Sequence, residues 1–237
     1  MERPSSEKDR YFMKNALNIS LRGIGNTYPN PSVGAIVVKN NKIVSRGWTQ
    51  PGGIPHAEVI ALKNKNFSGA TLYTTLEPCC HYGKAPPCIK QIINSRIKRV
   101  VIGIKDPNPK VNGKSITELK KNKINVTLGI LKNEIKKIHL GFIYNVKRKK
   151  PFVSSKIALS KNGKMINLHG QWVTSKSSRN YGNFIRSKYD AILTGINTVL
   201  KDNPLLNCRQ NGMESFSPVR FILDSKLRIR TNLKIVK

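Results

Sequence analysis

Two short segments hold the residues best able to do chemistry: His56-Ala57-Glu58 and Pro78-Cys79-Cys80-His81-Tyr82-Gly83-Lys84-Ala85-Pro86-Pro87-Cys88. Together they offer an imidazole, a carboxylate two positions beyond it, and two thiols, Cys79 and Cys88, with eight residues between them. One His and two thiolates make three zinc ligands and leave a fourth position for water, which is the pattern of a catalytic rather than a structural site. Zinc held this way lowers the pKa of water toward about 7, and a nearby carboxylate can then move the proton. The set reads as a hydrolytic deaminase, in which water attacks an amidine-like ring carbon bearing an exocyclic amine. In that reading His56, Cys79 and Cys88 ligate Zn2+ and Glu58 is the proton shuttle. Cys80 and His81 are candidates for a fourth ligand that would close the site and make it a structural knot, although adjacency to Cys79 makes Cys80 a strained choice.

The surrounding periodicity says what positions these groups. Phe12, Ala16, Leu17 and Leu21 fall at helical spacing within residues 9–22, and Gly23 stops the helix. Two β-rich runs, Val33 to Val38 and Ile43 to Trp48, flank a polar turn and predict a hairpin. His56 to Lys63 is helical, Thr71 to Leu76 is a strand, and Pro86-Pro87 open a second helix through Ile89, Ile92 and Ile93. Arg99 to Ile104 is a buried strand that runs into Asp106-Pro107-Asn108-Pro109, and a helix, a strand and a helix follow to about residue 146. The order is that of an α/β layered domain. Both metal-binding segments fall at helix starts beside strand ends, where α/β sheets place their sites and where helix N-termini favour thiolates. Lys147-Arg148-Lys149-Lys150-Pro151 reads as a basic linker between a domain at 1–146 and a second region at 152–237. That region has strands at Phe152 to Leu159, Asp190 to Gly195 and Val219 to Asp224, with a helix near 175–188.

The formal charge is +31, from 43 Lys and Arg against 12 Asp and Glu. These cations are spread along the whole chain, and aromatic residues are only 7% of it, too few for a base-stacking surface. Lys, Asn and Ile, all with AT-rich codons, make up roughly a third of the residues. The charge is therefore read as compositional drift, and a nucleic-acid partner is not expected. No apolar run approaches membrane-spanning length and the N-terminus lacks the apolar stretch of a secretory signal. With two of the four Cys at metal spacing, the expectation is a reducing, cytoplasmic setting.

The long gap between the two Cys narrows the reading. The general cytidine-deaminase-like signature ends in Cys-x-x-Cys, whereas the string from Glu77 to Cys88 resembles the deaminase half of the bifunctional riboflavin-biosynthesis deaminase–reductase family. The resemblance continues through Asn30-Pro31-x-Val33-Gly34 and Asp106-Pro107-Asn108-Pro109 and into the second region. It implies a three-layer cytidine-deaminase-like domain followed by a dihydrofolate-reductase-like α/β domain. It also implies a small-molecule substrate, a diaminohydroxypyrimidine carrying a phosphoribosylamino group, whose 2-amino group is hydrolysed to a carbonyl. By matched position, Asn30, His81, Lys84, Asp106 and Asn108 surround that substrate. In the second domain the resemblance assigns Ala158, Trp172, Thr198, Asp202 and Ser225 to NADPH, and Gly170, Arg186, Leu206 and Arg209 to the substrate whose ribosyl group is reduced. It implies self-association as well.

The second domain departs from the family pattern. Ser160-Lys161-Asn162-Gly163 has an amide where an acid is usual, the segment before Trp172 is shorter, and Gly170 stands where a Ser is frequent. The resemblance implies about a hundred further residues with a Gly-rich phosphate loop, so the reductase domain reads as partial and its activity is expected to be weak or absent in this chain alone. Two other readings compete: a tRNA or nucleotide deaminase, favoured by the positive charge, and a basic nucleic-acid-binding protein with a closed zinc knot.

Overall fold

The structure is a computed structural model that describes residues 7–63, 66–83, 85–165 and 173–236. It divides into two compact units, Met1–Val153 and Ser154–Lys237.

The first unit is built on one sheet. Helix α1 (Glu7–Ser20) buries Phe12, Met13, Ala16 and Leu17, a stripe at helical spacing. Strands β1 (Gly34–Lys39) and β2 (Lys42–Trp48) form the expected antiparallel hairpin. Asn40 and Asn41 turn it with φ of 50° and 58°, the left-handed pair that a tight hairpin turn requires and Asn tolerates. Then come α2 (Ala57–Ala61), β3 (Thr71–Leu76), α3 (Cys88–Asn94), β4 (Arg99–Ile104), α4 (Lys114–Lys121), β5 (Asn125–Leu128), α5 (Lys132–Ile138) and α6 (Leu140–Arg148). The strand order is β2-β1-β3-β4-β5; β1 is antiparallel to both neighbours, and β3, β4 and β5 are parallel. Parallel strands covered on both faces read as continuous apolar runs, as β4 does.

Two glycines set the depth of the helices on this sheet. A Cβ at Gly34 would strike the Ala16 carbonyl of α1, and one at Gly47 would strike the Ala57 carbonyl of α2. Gly34 and Gly47 face opposite sides of the hairpin, while Gly103 of β4 meets Ile135 of α5. Helices α1 and α5 thus cover one face and α2 the other, giving the three layers. Helix α2, which carries Glu58, is pressed directly onto the strands.

A buried polar cluster fastens α1 to the sheet. Asp9, 5% exposed, accepts two hydrogen bonds from the Arg99 guanidinium, at 2.9 and 2.7 Å, and one from the Tyr73 hydroxyl at 2.8 Å. Arg99 also donates to Thr127 Oγ1 at 2.9 Å.

The last helical stretch of this unit is broken at His139, which joins α5 to α6. His139 is 2% exposed and its Nε2 has no hydrogen-bond partner among the described residues. Burial pushes its pKa down to about 4, against about 6.5 in an unfolded chain. Above pH 6.5 the imidazole is neutral in both states, and no stability is lost. As pH falls from 6.5 toward 4 only the unfolded chain takes up the proton, so stability drops by about 3 kcal/mol. Urea midpoints at pH 7 and pH 4.5 should therefore differ less in His139→Phe than in the parent; an equal acid slope in both would assign the loss to other groups.

The second unit contains α7 (Lys176–Arg186), β6 (Ala191–Gly195), α8 (Ile196–Asp202) and β7 (Val219–Leu223). Ser175 caps α7 by accepting the Ser178 N–H at 3.2 Å. Strands β6 and β7 pair in parallel, and a small core of Ile196, Val199, Leu206, Leu233 and Ile235 packs against one side of them. Leu193, Val219, Phe221 and Leu223 remain more than half exposed. The strand expected from Phe152 to Leu159 is absent among the described residues. A strand exists only where a neighbour takes up its N–H and C=O groups. Phe152, Val153, Ile157 and Leu159 instead stay exposed. Among the described residues no helix is long and apolar enough to cross a membrane.

Candidate active site

The two segments singled out by their chemistry meet at the ends of β3, α2 and α3. His56 is the residue before α2 and is half-buried; Cys79 follows β3 closely, and Cys88 opens α3. His56 Nδ1 lies 3.2 Å from Cys88 Sγ and 3.5 Å from Cys79 Sγ, and all three ligand atoms lie within 4.8 Å of one another. Tetrahedral zinc with ordinary Zn–N and Zn–S lengths needs ligand atoms roughly 3.6 to 3.8 Å apart. One imidazole and two thiols at this spacing fit zinc, and among the described residues no fourth His, Cys, Asp or Glu joins them.

The electrostatics suit a cation. The Cys79 thiol is pulled down to about 4 by hydrogen bonds from the Cys88 side chain, from His56 and from the Cys88 N–H, the last at 3.2 Å. Cys88 is pushed above its ordinary value by its bond to Cys79, by burial and by the nearby Glu58 charge. The His56 pKa is raised, chiefly by its bond to Cys79 and then by the charges of Glu58 and Cys79.

Glu58 sits in the first turn of α2, 4% exposed. Burial raises its pKa. Thr74 of β3, fully buried, donates its hydroxyl to Glu58 Oε1 at 3.0 Å, and Thr74 Oγ1 also lies 3.1 Å from the Leu76 carbonyl. Sequence reasoning did not select Thr74; its one signal is a hydroxyl within an otherwise apolar strand that ends beside Glu77-Pro78-Cys79.

Of the other expected residues, Asn30 Nδ2 donates to the Gly53 carbonyl at 2.9 Å and stands 3.4 Å from His56 Nε2. Asp106 and Asn108 lie on the loop after β4, where Asp106 Oδ1 accepts the Asn108 N–H at 2.8 Å. Burial, followed by the charges of Glu77, Cys79 and Glu58, pushes Asp106 up to about 6. His81 has a buried Nδ1 with no hydrogen-bond partner among the described residues. Neither it nor Cys80 joins the three-ligand cluster; Cys80 Sγ is instead bonded to the Lys110 carbonyl at 3.7 Å. Lys90 Nζ donates to the Tyr82 hydroxyl at 2.6 Å, pinning the insert between the two Cys to α3. Lys84, Gly170 and Trp172 lie outside the described residues.

In the second unit, Arg186 donates to Asn183 Oδ1 at 2.8 Å and to the Asn207 carbonyl at 3.3 Å, while Arg209 reaches the same Asn183 oxygen at 3.5 Å. Burial and the neighbouring Arg209 charge lower the Arg186 pKa, so two guanidinium groups converge where an anion would relieve them. Leu206 is buried beside them in sequence, Thr198 and Asp202 lie exposed on α8, Ser225 is exposed just after β7, and Ala158 is half-buried in the irregular segment.

Residues 6–104 match the family model of the cytidine and deoxycytidylate deaminase zinc-binding region, and residues 151–237 match the RibD C-terminal domain. The riboflavin biosynthesis protein RibD of Escherichia coli is 36% identical over 245 residues, which cover 97% of this chain and 67% of that protein. This chain belongs to the RibD family. RibD of Aquifex aeolicus is 42% identical over 234 residues, 97% of this chain and 65% of that protein. The crystal structure of a Thermotoga maritima diaminohydroxyphosphoribosylaminopyrimidine deaminase/5-amino-6-(5-phosphoribosylamino)uracil reductase superposes with a TM-score of 0.89 at 41% identity, over 96% of this chain and 66% of that one. Acinetobacter baumannii RibD gives 0.88 at 36%, over 97% and 67%. The chain thus spans about two-thirds of the length of these RibD proteins. The residues that match the cytidine and deoxycytidylate deaminase zinc-binding region, 6–104, include His56, Glu58, Cys79 and Cys88.

Proposed function

We propose that the first unit is the riboflavin-pathway deaminase. It converts 2,5-diamino-6-(5-phosphoribosylamino)pyrimidin-4-one and water to 5-amino-6-(5-phosphoribosylamino)uracil and ammonia. The observation that carries this reading is the convergence of His56, Cys79 and Cys88 within 4.8 Å beside a buried Glu58. Zinc bound by those three residues supplies the acidity that makes water a nucleophile near neutral pH. Glu58 accepts one proton from the attacking water and passes it to the ring nitrogen, then takes the second from the newly added hydroxyl and passes it to the amine, which departs as ammonia as the C–N bond breaks and the carbonyl forms. A carboxylate whose pKa is raised by burial is suited to carrying that proton in both directions. The Thr74 hydroxyl holds the Glu58 carboxylate in place for this transfer. Asn30 offers its amide to the pyrimidine edge, with Asp106 and Asn108 on the opposite loop. His81, whose Nδ1 is free for a ligand, and Lys84 take the phosphate.

The second unit is the NADPH-dependent reductase half in this reading. Ala158, Trp172, Thr198, Asp202 and Ser225 belong to the cofactor, and Gly170, Arg186, Leu206 and Arg209 to the substrate. Hydride transfer by this chain alone is expected to be slow, because parallel sheets work as platforms when covered on both faces and β6–β7 has one apolar face in water. The protein so read works in the cytoplasm and self-associates, with neither a membrane nor a nucleic-acid partner. Zinc-loaded protein offered the pyrimidine ribotide and, separately, tRNA should release ammonia from the ribotide alone. Release from tRNA alone would replace this reading with the tRNA-deaminase one. NADPH oxidation at an ordinary turnover rate with the deaminated product would overturn the expectation for the second unit.

A further inference from the structure

The site contains a buried carboxylate that the proposed chemistry does not use. Glu77, 2% exposed, lies between β3 and Cys79. Both its oxygens stand 2.9 Å from the Gly113 nitrogen, and Oε2 also accepts the Asp106 N–H at 3.3 Å. Gly113 has a φ of 86°, a left-handed conformation open to glycine, and it precedes α4. One carboxylate therefore holds both ends of the 106–113 loop. Inside the loop, Asn108 Oδ1 accepts the Lys110 N–H at 3.0 Å, and the Asn108 carbonyl accepts from Val111 and Asn112 at 2.9 Å each. On its other side Glu77 is anchored by its own N–H, which donates to the Ile104 carbonyl at 3.0 Å. Among the described residues no Lys or Arg forms an ion pair with it. Such a buried charge is costly unless backbone donors satisfy it. A carboxylate presents an acceptor to the two N–H groups at either oxygen, whereas the amide of a Gln would turn an N–H donor toward the Gly113 N–H.

We infer that Glu77 is a positioning residue that locks the Asp106–Gly113 loop against the turn bearing Cys79, and so sets the pyrimidine-binding face made with Asp106 and Asn108. This rests on the deaminase reading above, and it assigns Glu77 an effect on substrate affinity rather than on the proton transfer itself.

The test uses the full zinc-loaded chain. In Glu77→Gln, zinc should stay near one per chain, and amide exchange at Asp106 and Gly113 should quicken about tenfold or more, as expected for losing a charge-assisted hydrogen bond. KM for the ribotide should rise about tenfold while kcat stays within about threefold. Glu77→Asp keeps the charge but falls short of both N–H groups, and should show the same rise in KM. Ser115→Ala removes a neighbouring bond, from the Ser115 hydroxyl to the Pro78 carbonyl, and should lower stability without moving KM. Unchanged exchange in both Glu77 variants, or a KM shift shared equally by Ser115→Ala, would overturn the inference. If the parent protein releases no ammonia from the ribotide, the deaminase reading fails by itself, and the exchange rates still decide whether Glu77 holds the loop.

Discussion

Glu58→Gln is expected to bind zinc as the parent does and to lose ammonia release by about 100- to 10,000-fold, the range that one positioned acid–base group contributes. The amide keeps the shape of the side chain and its contact with the Thr74 hydroxyl, which donates to Oε1 at 3.0 Å. It cannot take a proton from water. None of the three ligand atoms belongs to Glu58, so metal content should not fall. The residue is also buried, 4% exposed, and offers little surface to a substrate, so KM should change much less than kcat. Metal analysis on the same sample as the steady-state assay separates the outcomes. Lost zinc would make Glu58 a structural support of the metal site, and near-normal turnover would show that another group carries the proton.

The second large effect lies away from the chemistry. Asp9→Ala should cost about 3 kcal/mol of stability, because it takes the carboxylate from the part-buried Arg99 guanidinium and leaves the Tyr73 hydroxyl without its acceptor. For a unit of this size that corresponds to a fall in Tm of about 10 °C. The double substitution Asp9→Leu with Arg99→Met replaces the ion pair by apolar groups and should recover much of the loss. Thermal unfolding of the three proteins measures it. A double variant no more stable than Asp9→Ala would mean that the loss comes from the packing of α1 and not from an uncompensated charge.

The contrast between these two sites shows what a sequence can carry. His56, Glu58, Cys79 and Cys88 are legible because their spacing is local and their types are rare; two positions on one helix start and one insert between two thiols contain most of the geometry. The hairpin, β3 and β4 are legible for a related reason, since continuous apolar runs bounded by Asn, Gly and Pro leave few alternatives. Asp9, Tyr73 and Arg99 are 64 and 90 residues apart, and nothing in their neighbours announces that they meet. Glu77 and Thr74 are hidden in another way. They sit inside a strand and its exit whose apolar pattern accounts for the segment without them, and their partners are backbone N–H groups or a side chain from another element. The break at His139 was likewise silent, since α5 and α6 continue one helical pattern across it. The segment from Phe152 to Leu159 failed in the opposite sense. Its composition favours a strand, yet strand formation depends on a neighbour that its own residues do not specify.

The central claim is that this chain hydrolyses an amine from a pyrimidine ribotide at the His56, Cys79 and Cys88 site. The most direct measurement is mass spectrometry of the ribotide after incubation with zinc-loaded protein in water enriched in oxygen-18. The account predicts that one labelled oxygen replaces the amino group, one ammonia is released for each, and the conversion stops when the zinc is chelated. Ribotide recovered unchanged from protein that holds one zinc per chain would contradict it.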